Sequence, residues 1–174
     1  MTVVFSRDAV LRAELEQVYR QHRQALFSLA LNITGCSGLA EDAVHEAFVR
    51  LCGRQEQPSG RLAAYVFAAV RNVALDCLRG VKRDQKMAES IFAQTVPSGT
   101  STNVAYNSAE ELAERLMQEI ERLDGNVREI IVMKIYGELT FDEIGNILRI
   151  PAATVATRYR RALTAIEKKL RRDL

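Results

Sequence analysis

The chain has 174 residues, 48% of them hydrophobic and 26% charged, a balance ordinary for a globular protein with a buried core and too apolar for disorder throughout. Three prolines, no tryptophan and abundant Ala, Leu, Glu and Arg favour helices, because these residues lose little rotamer freedom there, so the expected fold class is all-α. The net charge of +2 hides a segregation, with +3 over residues 1–83, −5 over 84–126 and +4 over 127–174; two basic ends around an acidic middle suit two contacts with an anionic partner.

The first residues meet charge at Arg7 and Asp8 and hold no long apolar run, so neither a signal peptide nor a membrane span is expected, and the protein reads as cytoplasmic without membrane insertion. From Leu11 to Leu31 apolar residues recur at helical spacing at Leu11, Leu15, Val18, Tyr19, Ala25, Leu26, Leu29 and Ala30. The glycines of Thr34-Gly35-Cys36-Ser37-Gly38 suit a helix end and turn. A second helix carries Ala40, Ala43, Val44, Ala47, Phe48, Leu51 and Cys52 inward, with Glu41, Asp42, His45, Glu46 and Arg50 outside. Gly53 to Gly60, with Pro58, breaks it.

A third helix from Arg61 to about Arg79 repeats the rhythm at Leu62, Tyr65, Val66, Ala69, Val70, Val73, Ala74, Cys77 and Leu78, leaving Phe67, Arg71, Asn72 and Asp76 off the stripe. Three such stripes close a small bundle. Cys36, Cys52 and Cys77 have neither CxxC spacing nor a histidine at ligand spacing, so they read as buried thiols in a reducing compartment, and no metal or cofactor is expected.

Periodicity fades after Asp84, and Thr95–Asn103 is rich in turn formers, which places a flexible linker over residues 84–109. Two small helical domains follow, a three- to four-helix N-terminal bundle over 1–83 and a C-terminal domain over 110–174. Ser108 with Glu111 three residues on predicts a capped helix to Leu123, stopped by Asp124-Gly125-Asn126. An apolar segment follows from Val127 to Ile135.

The sharpest motif runs from Leu139 to Leu163. Thr140 caps a short helix with Glu143 at the capping-box position, and Phe141, Ile144, Ile147 and Leu148 face inward. Gly145 allows a second helix to come close, and Ile150-Pro151 forms the turn with proline set for the next helix's first turn. There Val155, Tyr159, Ala162, Leu163 and Ile166 point inward, while the opposite face shows Ala152, Ala153, Thr154, Ala156, Thr157, Arg158, Arg160 and Arg161. Such a helix enters a major groove by its N-terminal end, Thr and Arg reaching base edges and phosphates. Residues 157–172 hold seven basic residues and one acid, Glu167; Lys168, Lys169, Arg171 and Arg172 fit a solubilising tail as well as a DNA contact.

With these residues in place the chain resembles the sigma-70 family, specifically the extracytoplasmic-function (ECF) group that keeps only regions 2 and 4. Ala40–Leu51 looks like region 2.2, which implies that Asp42, His45, Glu46 and Arg50 contact the β′ clamp helices of core RNA polymerase; read without that pattern they are a solvated face. Ala64–Arg79 looks like regions 2.3 and 2.4, which melt and read the minus-ten element, and implies DNA contacts at Phe67, Arg71, Asn72, Arg79, Lys82 and Arg83. Aromatic and polar side chains that capture an unstacked base, with cations along the strand, are what that task requires. Asn72 and Asp76 serve equally well as helix–helix hydrogen-bonding residues. The C-terminal domain looks like region 4, its second helix reading the minus-thirty-five element through Thr154, Thr157, Arg158, Arg160 and Arg161, with the β flap as its polymerase partner.

The sequence departs from the family pattern at Tyr65, usually tryptophan, at Ala68, often basic, and at Arg149, in place of the turn glycine. Ala153 and Ala156 stand at positions often Gly and Lys, so base preference does not carry over from relatives. The resemblance also implies control by an anti-sigma factor, which no residue here identifies. A second reading is a dimeric helix-turn-helix regulator with an N-terminal effector or dimerisation bundle. An enzyme is not expected, since no phosphate loop, metal cluster or nucleophile–base pairing is present.

Overall fold

The computed structural model describes residues 7–53, 60–89, 116, 118–120 and 122–171. Every described element is helical. Helix α1 spans Arg7–Thr34, longer at both ends than its apolar stripe. Of that stripe Leu11, Leu15, Val18, Ala25, Leu26, Leu29 and Ala30 are buried, whereas Tyr19 is exposed and sets its ring edge-on to Phe48 at 5.2 Å. Gly35, at φ 68°, reverses the chain, a conformation that costs glycine little. Helix α2, Ser37–Cys52, buries Ala40, Ala43, Val44, Ala47 and Leu51; the three alanines let α1 and α3 lie close against it.

Helix α3 spans Leu62–Glu89. It continues past residue 83, so the expected linker begins as helix over 84–89, while the rest of that linker and the Ser108 cap lie outside the described residues. Its stripe is buried at Val66, Val70, Val73 and Ala74, but Phe67, read as lying off the stripe, is 0% exposed. The cause is a second neighbour, because the C-terminal lobe covers the flank of α3 that α1 and α2 leave open. The thiols also differ from expectation. Cys36 and Cys52 are exposed and Cys77 half-buried, since the first two sit in the turn before α2 and in its last turn.

The C-terminal lobe starts at α4, Gly125–Ile131, where the Asp124 side chain caps by accepting from Asn126 N at 2.9 Å. Arg128 ties this start to the preceding segment, its guanidinium donating to the Ile120 and Leu123 carbonyls. The helix widens into a π-helical turn over Val132–Tyr136, closed by Gly137 N donating to Val132 O at 3.1 Å. Helices α5, Phe141–Leu148, and α6, Ala152–Leu170, complete the lobe.

The lobes share a core. Ile130, Val132, Met133, Leu139, Ile144 and Val155 from the C-terminal lobe join Leu26, Val66, Phe67 and Val70 in one cluster. The π-helical turn and α4 pack on α1, and α5 packs on α3. A smaller cluster of Ile120, Ile131, Ala162 and Ile166 belongs to the C-terminal lobe alone.

Candidate nucleic-acid interface

The helix-turn-helix is built by the local chemistry the sequence announces. Glu143 N donates to Thr140 Oγ1 at 3.2 Å and Thr140 N donates to Glu143 Oε2 at 2.7 Å, completing a capping box. A side chain at Gly145 would put its Cβ 2.7 Å from Ile150 O and 3.3 Å from Ala152 N, so only glycine admits the turn at this distance. Arg149 ends α5 in the left-handed region at φ 57°, ψ 44°, with Ile150 N donating to Gly145 O at 3.0 Å. A non-glycine residue there costs about 1 kcal/mol. Pro151 is the N-cap of α6 rather than part of its first turn, and its carbonyl accepts from Thr154 N and Val155 N.

On α6, Val155, Ala162 and Ile166 are buried as expected, and the Tyr159 ring lies 5.6 Å from Phe141. Two positions change sides. Ala156 is buried against the core, and Leu163 is 38% exposed, because α6 rests on α5 near its start and on the Ile120–Ile131 cluster only further along. Thr154 is half-buried; Thr157, Arg158, Arg160 and Arg161 are exposed. Thr157 Oγ1 donates to Ala153 O at 2.8 Å, leaving the hydroxyl free to accept. Arg158, Arg160 and Arg161 make no ion pair among the described residues, so three guanidinium groups stand open on one helix.

The basic tail is partly committed to the fold. Lys169 Nζ and Arg122 Nη1 both reach the Glu119 carboxylate. The hydrogen bond from Lys169 holds the Glu119 carboxyl below the usual carboxylate range; desolvation opposes this and Arg122 adds to it. Arg171 pairs with Glu167. Lys168 is exposed, and Arg172 lies outside the described residues.

The residues singled out on α3 divide into two groups. Asn72, Arg79 and Arg83 are exposed; Arg79 Nη1 pairs with Asp76 at 3.1 Å along the same helix. Neither Asn72 nor Asp76 bonds to another helix among the described residues, and the Lys82 side chain lies outside them. Phe67 and Arg71, one turn apart, are covered. Arg71 Nε donates to Glu129 Oε2 at 2.6 Å, the two side chains 17% and 8% exposed, and Phe67 lies between the His22 ring, steeply tilted to it with centroids 5.8 Å apart, and Gly137, whose Cβ, if present, would fall 2.8 Å from Phe67 Cζ.

Sequence reasoning missed the residues that make this cover. Arg61 Nη1 donates to Glu138 O at 2.9 Å, Asn32 Nδ2 donates to Gly125 O at 3.1 Å, and His22 Nδ1 lies 3.3 Å from Tyr136 O. The available signal was Glu129, an acid inside the apolar run Val127–Met133, which needs a cation if the run is buried.

On α2, Asp42, His45 and Arg50 are exposed and Glu46 is half-buried. Glu46 and Arg50 pair at 2.7 Å, which raises the Arg50 pKa further. His45 lines an open groove between α1 and α2 with Leu15, Tyr19, Phe27, Val44 and Phe48, apolar at its floor and charged at its rim. No metal-ligand cluster is present among the described residues, and no described helix is long and apolar enough to cross a membrane.

Fold and surface together define a two-lobed helical protein whose C-terminal lobe carries a helix-turn-helix with an open basic face. Residues 18–84 match the family model for sigma-70 region 2, and residues 113–166 match that for sigma-70 region 4. The ECF RNA polymerase sigma factor SigW of Bacillus subtilis is 28% identical over 169 residues, 91% of this chain and 88% of the relative. The ECF RNA polymerase sigma-E factor of Escherichia coli is 28% identical over 143 residues, 77% of this chain and 75% of the relative. Among solved structures, the sigma factor RpoE of Bartonella quintana, in complex with the anti-sigma factor NepR, superposes with a TM-score of 0.65 at 18% identity, covering 92% of this chain and 99% of that one. The chain belongs to the sigma-70 family and to its ECF group of RNA polymerase sigma factors. The N-terminal lobe is therefore region 2, which disfavours the reading as an effector or dimerisation bundle.

Proposed function

We propose that the chain works in the cytoplasm as a non-enzymatic promoter-specificity subunit, binding core RNA polymerase through α2 and promoter DNA through α3 and α6. The lobes divide as region 2 over 1–83, a linker over 84–109 and region 4 over 110–174, with α3 running a few residues into that linker. The observation that carries the reading is the open face of α6, where Thr157, Arg158, Arg160 and Arg161 stand exposed on a helix positioned for a major groove. Thr154, half-buried at the start of α6, belongs to the same face. Arg158, Arg160 and Arg161 supply phosphate and guanine contacts, and the threonines fix register.

On α3, Asn72, Arg79, Lys82 and Arg83 track the separated strand, with Phe67 and Arg71 joining when the C-terminal lobe moves aside. On α2, Asp42, His45, Glu46 and Arg50 face the β′ clamp helices, and the apolar floor beside His45 offers a seat for a helical partner. The β flap is the partner of region 4, and an anti-sigma factor is the regulator the family resemblance implies. Each lobe alone binds weakly, and the tether raises the effective concentration of the second contact.

The test is reconstitution with core RNA polymerase and start-site mapping on genomic DNA. The expected result is a set of transcripts absent with core enzyme alone; their absence, where a known ECF factor is active, overturns the reading.

A further inference from the structure

Two of the strand-tracking candidates on α3 are hidden by the protein's own other lobe, and the way they are hidden carries chemical information. Arg71 is a guanidinium, which binds carboxylates and phosphates with the same forked geometry. In the closed chain its Nε is held by Glu129 at 2.6 Å, inside a contact that leaves both side chains largely dry. A carboxylate buried within an apolar helix is tolerable only while paired, and removing its partner strands a charge. Around this pair Gly137 lies flush on the Phe67 ring. Arg61, Asn32 and His22 reach three backbone carbonyls of the opposite lobe, and the carbonyl Arg61 holds belongs to Glu138, itself at φ 54°.

We propose that Glu129 stands in for a nucleic-acid phosphate on Arg71, so that region 4 shuts the single-strand face of region 2 until an anionic strand takes the guanidinium and the lobes part. This rests on the reading of α3 as the face that holds separated DNA. The closure is one-sided. Arg158, Arg160 and Arg161 on α6 stay exposed in the closed chain, so duplex DNA reaches region 4 without opening, whereas single-stranded DNA reaches Phe67 and Arg71 only after it.

The experiment uses the full chain and Glu129→Gln, which keeps the shape and removes the charge. Fluorescence anisotropy reads affinity for a labelled single-stranded oligonucleotide and for a duplex of the same length, and small-angle X-ray scattering reads the radius of gyration. The expected result is expansion of the variant with a gain in single-strand affinity on the order of tenfold, since the binding-competent fraction rises, and no change toward duplex. Arg61→Ala removes a different cross-lobe contact from an exposed side chain and is expected to shift both readouts the same way by a smaller factor, which keeps the test open if Glu129→Gln lowers the yield of folded protein. Unchanged scattering and unchanged single-strand affinity in both variants overturn the latch. Expansion without any gain in single-strand affinity overturns instead the reading of α3 as a DNA face, and with it the phosphate exchange.

Discussion

Helices α3 and α6 carry similar cargo and meet opposite fates. Each is amphipathic, with arginines spaced along a flank of its apolar stripe. On α6 that flank is open, and its three arginines find no acid among the described residues. On α3 the first half of the flank is closed, because Glu129, 58 residues further along the chain, neutralises Arg71, and the rest of the C-terminal lobe seals Phe67. Whether a basic face is available thus depends less on the helix that bears it than on which acids the tertiary fold carries to it.

The strongest way to break this contrast is to ask whether the two lobes are thermodynamically one body. Ile144, 0% exposed and part of the shared cluster, is expected to cost about 2–5 kcal/mol as Ile144→Ala, lowering a single unfolding transition seen alike by circular dichroism and by tyrosine fluorescence. Two separated transitions would make the lobes independent and the cover on Phe67 incidental. Next in size, Arg158→Ala is expected to weaken duplex binding by about 1–3 kcal/mol while leaving single-strand affinity where it was. An equal loss on both probes would erase the division of labour between α6 and α3.

Smaller effects sharpen the description of the turn that aims α6. Thr140→Ala removes the capping box at a cost of about 1 kcal/mol, and Arg149→Gly relieves the left-handed φ for a gain of about 0.5–1 kcal/mol; urea denaturation of the two variants should move in opposite directions. The smallest effect is set by pH. Because the folded protein holds the Glu119 carboxyl below its ordinary range through Lys169, the stabilisation is complete at neutral pH. It is lost as pH falls below the unfolded value, about 4.3 for a glutamate, and through the folded one. Amide exchange near Lys169 should then accelerate before the rest of α6 loosens, and uniform exchange along α6 would remove Glu119 from the account.

Much of the local structure was legible in the sequence because short-range physics writes it there. The Thr140–Glu143 box, the close approach at Gly145 and the turn at Arg149 each depend on residues within seven positions of one another, and each is found in the structure. The three N-terminal stripes were legible for the same reason, since every helix presents one main face to its bundle. What escaped is non-local. Phe67 sits off the stripe of α3 and is nevertheless buried, because a second lobe covers it; Ala156 and Leu163 exchange sides because α6 has two different neighbours along its length. The thiols of Cys36 and Cys52 were expected inside on composition, which is blind to their place in a turn and at a helix end. Glu129 was visible as an odd acid in an apolar run, but its partner could not be named without the topology.

The π-helical turn at Val132–Tyr136 has a consequence for the whole molecule. One extra residue in a helical turn rotates everything after it by about 100° relative to an uninterrupted α-helix. Here it brings the Tyr136 carbonyl toward His22 and Gly137 toward Phe67, a few residues before α5 begins at Phe141. The segment therefore works as an angular setting screw, and a relative with one residue fewer at this point would carry the same helix-turn-helix aimed in another direction.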